Sequence, residues 1–67
     1  MKVNVVSSTI SWIEYEGSTL RVGFRKGGVY EYEGVPGKII TEMINAESIG
    51  SYFAKNVKNI YKAKKLA

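Results

Sequence analysis

Cysteine, histidine and aspartate are all missing from this chain of 67 residues, and each absence removes a class of chemistry. Without cysteine there is no disulfide, no thiol nucleophile and no iron–sulfur ligand; without histidine as well, structural zinc and a Ser-His-Asp triad are excluded. All six acidic residues are Glu, so the spacing of a calcium loop is absent too. No apolar run approaches the roughly 20 residues of a membrane span, and the Met1-Lys2-Val3 start lacks the apolar stretch of a signal peptide. The length holds one core and no second. We therefore expect a single domain over 1–67, cytoplasmic, away from membranes, with neither cofactor nor metal, and not an enzyme.

What is present is the composition of a globular domain, 45% hydrophobic and 24% charged, with a formal net charge of +4. Its distribution is uneven. Through Val35, Lys2, Arg21, Arg25 and Lys26 cancel Glu14, Glu16, Glu31 and Glu33; beyond it, Lys38, Lys55, Lys58, Lys62, Lys64 and Lys65 face only Glu42 and Glu47. A basic half points towards an anionic partner.

Three alternating runs rich in Val, Ile, Tyr, Phe and Trp, over 9–16, 19–25 and 29–33, are separated by glycine turns, the pattern of an antiparallel meander. A two-residue turn at Gly17-Ser18 sets Tyr15 against Leu20, Ile13 against Val22 and Ser11 against Phe24. A three-residue loop, Lys26-Gly27-Gly28, sets Phe24 against Tyr30 and Val22 against Tyr32. A two-residue Gly27-Gly28 turn would mix core and solvent positions, because a slip of one residue exchanges the faces. One face then carries Ile13, Tyr15, Leu20, Val22, Phe24, Tyr30 and Tyr32. The other carries the row Glu14–Arg21–Glu33, Trp12 across from Gly23, and Ile10 and Val29 on either side of Arg25. After Val35-Pro36-Gly37, the apolar spacing predicts a helix over 38–45. A second helix is expected from Ser48 or Ser51, both good N-caps, to about Lys65. It would turn Phe53, Val57, Ile60, Tyr61 and Lys64 inward and Lys55, Lys58, Lys62 and Lys65 outward. The expected fold is α+β, a three-stranded antiparallel β-meander followed by two helices packed on one face, with residues 1–7 an extra strand or an arm.

Leu20-x-Val22-x-Phe24, a following glycine, Tyr30-x-Tyr32, Val35-Pro36, then Ala46-x-Ser48-x-Gly50-x-x-Phe53 and Tyr61 together resemble the KTSC domain. Ser8, Ile10, Ile13 and Tyr15 fit that family's opening strand, so the resemblance runs from about Ser8 to Tyr61. The doubled Gly27-Gly28 and the lysines beyond Tyr61 depart from the pattern. The resemblance implies a small domain found at the C-terminus of some lysyl-tRNA synthetases and alone in bacteria and phages, and its synthetase context implies RNA binding.

Each candidate feature has two readings. Tyr30 and Tyr32 either stack bases or pack in the core. Lys55, Lys58, Lys62 and Lys65 either neutralise phosphate or keep a helix face solvated; none of the four has a carboxylate three or four residues away. Gly27-Gly28 beside Arg25 and Lys26 is explained by turn geometry, and Ser48-x-Gly50 by capping. Trp12 with Ile10 and Val29 forms an apolar outer patch, which either the Val3–Val6 segment or a partner covers. The expected function is non-catalytic binding of nucleic acid, RNA by the resemblance, through Lys55, Lys58, Lys62 and Lys65 with Arg21, Arg25 and Lys26, by phosphate neutralisation. The alternative is a small phage-type homo-oligomer that binds a nucleotide-like anion or inhibits a host protein.

Overall fold

The three alternating runs form the centre of the sheet, and the chain adds one further strand at each edge. A computed structural model describes residues 1–67. In chain order the elements are β1 (Lys2–Asn4), β2 (Ile10–Glu16), β3 (Thr19–Phe24), β4 (Val29–Tyr32), α1 (Gly37–Ile44), α2 (Ile49–Asn56) and β5 (Ala63–Lys65). All five strands are antiparallel and lie in the order β1-β2-β3-β4-β5. The α+β class and the two helices are as expected; the sheet has five strands rather than three. Residues 1–7 supply the extra strand on one side, with Val3 opposite Ile13 and Asn4 opposite Trp12.

The first hairpin has the expected register, Tyr15 to Leu20 and Ile13 to Val22, up to Trp12 opposite Gly23. There it departs. Ile10, not Ser11, stands opposite Phe24, so Ser11 is the extra residue of a β-bulge. The bulge reverses the alternation of side chains. Ile10, expected on the outer face, is fully buried on the inner one.

The second hairpin is shifted by two. Leu20 faces Tyr32, Arg21 faces Glu31, Val22 faces Tyr30 and Gly23 faces Val29. The loop still has three residues, Arg25-Lys26-Gly27, closed by the Phe24 amide donating to the Gly28 carbonyl at 2.9 Å. Loop length therefore could not separate the two registers, and an even shift leaves both faces intact. The glycines fix it: Gly27 at φ 132° and Gly28 at φ 86° both occupy backbone that side chains resist. The charged row consequently uses Glu31 where Glu33 was expected. Glu33 instead accepts from the Thr19 hydroxyl at 2.7 Å.

The helices cover one face only. The core comprises Ile10, Ile13, Leu20, Val22 and Tyr32 from the sheet, Val35 from the connection, Ile40 and Met43 from α1, and Phe53 and Val57 at α2. Phe53 is its aromatic hub, edge-on to Phe24 and to Tyr32 with centroids 5.5 Å apart in both pairs. Outside the core, the Tyr52 hydroxyl donates to Glu42 at 2.7 Å and ties α2 to α1. Neither helix is long and apolar enough to cross a membrane.

The second helix is much shorter than its sequence pattern. It stops at Asn56, with the Val57 and Lys58 amides both donating to the Phe53 carbonyl. After a turn, residues 63–65 become β5, which pairs with β4 and sets Tyr30 opposite Lys65 and Glu31 opposite Lys64. Ile60, expected inward, is 63% exposed. The exposed edge of β4 gives this segment backbone partners that a continued helix would have left unused.

Candidate functional site

The sequence names seven cations for anion binding, and the fold separates them. Lys55 lies on α2, Lys58 in the turn after it, Lys62 before β5 and Lys65 in β5, all exposed. They do not form one helical stripe, because the helix that would align them ends at Asn56. Arg21 lies on the helix-free face. Its Nε meets Glu31 at 2.8 Å and its guanidinium reaches Glu14 at 3.3 Å. These two carboxylates hold its proton still more firmly than usual, the bond to Glu31 most of all. Arg21 is therefore neutralised within the sheet and removed from the candidate site.

Arg25, Lys26 and Lys58 do come together, around two adjoining hollows at one end of the molecule. The β3–β4 loop carries the first two, and the end of α2 brings Lys58 towards them. None of the three has a carboxylate within 4.0 Å. The larger hollow, about 680 Å³, lies between residues 6–9, the end of β3 and the start of α2, and Arg25, Lys58 and Glu47 line it. The smaller, about 360 Å³, is lined by Phe24, Lys26, Gly27, Tyr30, Tyr32, Lys58, Asn59 and Ala63. Phe24 and Lys58 belong to both and form the divide. Volumes of this size, roughly 300–1,000 Å³, suit small ligands or single groups of larger ones.

Local sequence accounts for the walls of the larger hollow. The Ser7 hydroxyl accepts from the Thr9 and Ile10 amides, both at 3.1 Å, and so bends the chain just before the bulge. Arg25 grips that bend from the other side: its amide donates to the Thr9 carbonyl and its Nε to the Ser7 carbonyl. One edge of the guanidinium is thus fixed, which leaves its terminal nitrogens for an outside acceptor. Gly50 lets α2 approach closely, since a Cβ there would stand 3.2 Å from the Thr9 hydroxyl. Ser48 is the N-cap, accepting from the Ser51 amide at 3.3 Å, as the capping reading expects. Sequence reasoning missed Ser7, Ser8 and Thr9 as a wall; a run of three hydroxyl residues before a strand was the available signal.

The two tyrosines part company. Tyr32 is only 3% exposed and packs on Phe53, so its ring cannot stack on a base. Burial, and then the neighbouring Tyr30, push its hydroxyl pKa up. Tyr30 is half-buried, edge-on to Phe24 with centroids 5.7 Å apart, and lines the smaller hollow. Register brings Lys65 to its other flank.

The outer apolar patch also changes. Ile10 leaves it for the core, while Trp12 and Val29 remain half-buried on the outer face. Trp12 lies over Gly23, where a Cβ would overlap the indole, and the Lys2 ammonium sits 4.5 Å from the ring centroid. Part of its cover thus comes from within the chain.

Comparison with known proteins agrees with this architecture. A family model, the KTSC domain, matches residues 6–61. An uncharacterized protein of Stutzerimonas stutzeri (strain A1501) is 33% identical over 54 residues, covering 78% of this chain and 76% of that protein. The crystal structure of a KTSC domain protein from Yersinia pestis is similar with a TM-score of 0.94 at 30% identity, covering 100% of this chain and 97% of that one. With most of its length matched by the family model and its whole fold shared with that solved relative, the chain belongs to the KTSC domain family.

Proposed function

We propose that this chain is a non-catalytic, cytoplasmic binding domain for nucleic acid, RNA in the first instance, and that it binds at the two hollows between the β3–β4 loop and α2. One observation carries the reading: Arg25, Lys26 and Lys58, three cations without carboxylate partners, converge on hollows divided by an aromatic side chain. All three side chains are exposed and free of carboxylates, so their charge is open to an outside anion, and a phosphate backbone supplies such anions in series. Lys55, Lys62 and Lys65 lie outside the hollows and extend the positive field around them. No catalytic step belongs to the reading, since the chain has no His, Cys or Asp to act as base or nucleophile.

The test is fluorescence anisotropy of a labelled RNA in a salt series. Each neutralised phosphate contributes a log–log slope of about −0.7 on a single strand and about −0.9 on duplex DNA, so three contacts give roughly −2 to −3. The double variant Arg25→Gln, Lys58→Gln should bind more weakly and with a slope shallower by roughly two of those steps. An unchanged slope would place binding elsewhere on the surface, and absence of binding would overturn the proposal. The larger hollow is also the size of a nucleotide, and stoichiometric, salt-insensitive uptake of a mononucleotide would support that alternative instead.

A further inference from the structure

We infer that the site selects single-stranded nucleic acid over duplex, because the smaller hollow is built to take an unstacked base beside the phosphate contacts. This rests on the nucleic-acid reading above and deepens it. The two hollows differ in chemistry. In the larger one Arg25 and Lys58 face hydroxyl groups of the 7–9 bend and one carboxylate, Glu47. In the smaller one Lys26 and Lys58 flank an aromatic wall of Tyr30, Phe24 and the largely buried Tyr32, with no carboxylate in the lining. Aromatic surface edged by cations is the usual platform for a base, whose π-face is available in any sequence. Lys58 on the divide reaches both hollows, so a phosphate held there joins a base on the Tyr30 side to a neighbouring phosphate on the Arg25 side.

Tyr30 supports this in a second way. Its partner Tyr32, two residues along the same face, is sealed into the core, and Phe24 holds Tyr30 edge-on at 80°. The half-buried Tyr30 ring that lines the hollow is thereby fixed rather than free, so little side-chain entropy is lost when a base settles on it. In a duplex the base faces are already stacked on one another, and the same ring has nothing to receive.

Three labelled ligands of equal length decide the matter on the wild-type protein: a single-stranded RNA, an abasic single strand with the same number of phosphates, and the same RNA strand in a duplex, whose second backbone gives it the advantage in charge. The base-bearing single strand should bind more tightly than the abasic one by roughly 5- to 150-fold, the range of a single base–aromatic contact, and more tightly than the duplex. Tyr30→Leu should remove that advantage; should the variant fail to fold, the wild-type comparison with the abasic strand still decides. Equal binding of all three, or preference for the duplex, overturns this inference and leaves phosphate binding standing. Binding of none overturns both.

Discussion

Gly23 shows how far one missing side chain can shape a sheet. It is the penultimate residue of β3, inside a strand that glycine ordinarily weakens, yet the Trp12 indole from β2 lies across it. A methyl group there would meet the ring, so Gly23→Ala should push Trp12 outward and cost about 1–3 kcal/mol, the range for overfilling a packed site. Urea denaturation and a red-shifted tryptophan emission would report it; an unchanged midpoint and spectrum would show that the indole does not depend on the glycine. Tyr52 makes a different kind of contact. Its hydrogen bond to Glu42, with lesser help from burial, pushes its pKa up to about 12 from an ordinary 10.0. The folded state thus favours the protonated phenol. The stabilisation is complete below about pH 10 and is lost as pH rises through about 12. Tyr52 should therefore ionise late in an absorbance titration, as should Tyr32, and Tyr52→Phe should remove one of these two late contributions. At this scale the sequence was partly legible. The pairing of Trp12 with Gly23 follows from alternation alone, whereas the inward turn of Ile10 does not, because a bulge at Ser11 leaves no mark on hydrophobic periodicity.

Among the elements, the largest departure is the exchange of two expected helical turns for β5. Lys55, Lys58, Lys62 and Lys65 recur at helical spacing, and so do Phe53, Val57 and Ile60, so local pattern favours a continuous helix. What overrides it is non-local. The edge of β4 offers unpaired backbone groups, and the chain returns to satisfy them, with the Val29 amide donating to the Ala67 carbonyl and the Leu66 amide to the Val29 carbonyl. Gly28 admits that return, since a Cβ there would overlap the Ala67 carbonyl. Pairing partners distant in sequence are invisible to a window of a dozen residues, which is why the meander and α1 are legible in the sequence, β1 only as one of two readings of residues 1–7, and β5 not at all. Hydrogen exchange tests the point. The Val29 amide should be protected in the full chain and should exchange freely when residues 63–67 are removed, while the central Val22 amide keeps its protection. A Val29 amide that exchanges freely in the full chain would mean that β5 does not form in solution.

For the whole molecule, the balance of charge was legible from the sequence, but its placement was not. Across the helix-free face the register sets Lys2, Glu14, Arg21, Glu31 and Lys64 in a single transverse row, alternating in sign over all five strands. Only Arg21 closes ion pairs within this row, so the exposed lysines at its two ends have no carboxylate within 4.0 Å. The neighbouring row carries Asn4, Trp12, Gly23 and Val29, and Leu66 nearby is 43% exposed. With Ile10 withdrawn into the core, that apolar strip is narrower than the sequence implied, and a second copy packed on it would also cover the charged row. Desolvating Lys2 and Lys64 without close carboxylates costs several kcal/mol by general experience with buried ions, more than a strip of half-buried side chains returns. We therefore expect a monomer across the micromolar range, with Trp12 emission unchanged on dilution. Replacing both end lysines by leucine, Lys2→Leu with Lys64→Leu, removes the opposing cost and lengthens the apolar strip. That variant should self-associate in sedimentation velocity. A wild-type dimer whose Trp12 emission moves red on dilution would show that the charged row does not prevent pairing of this face.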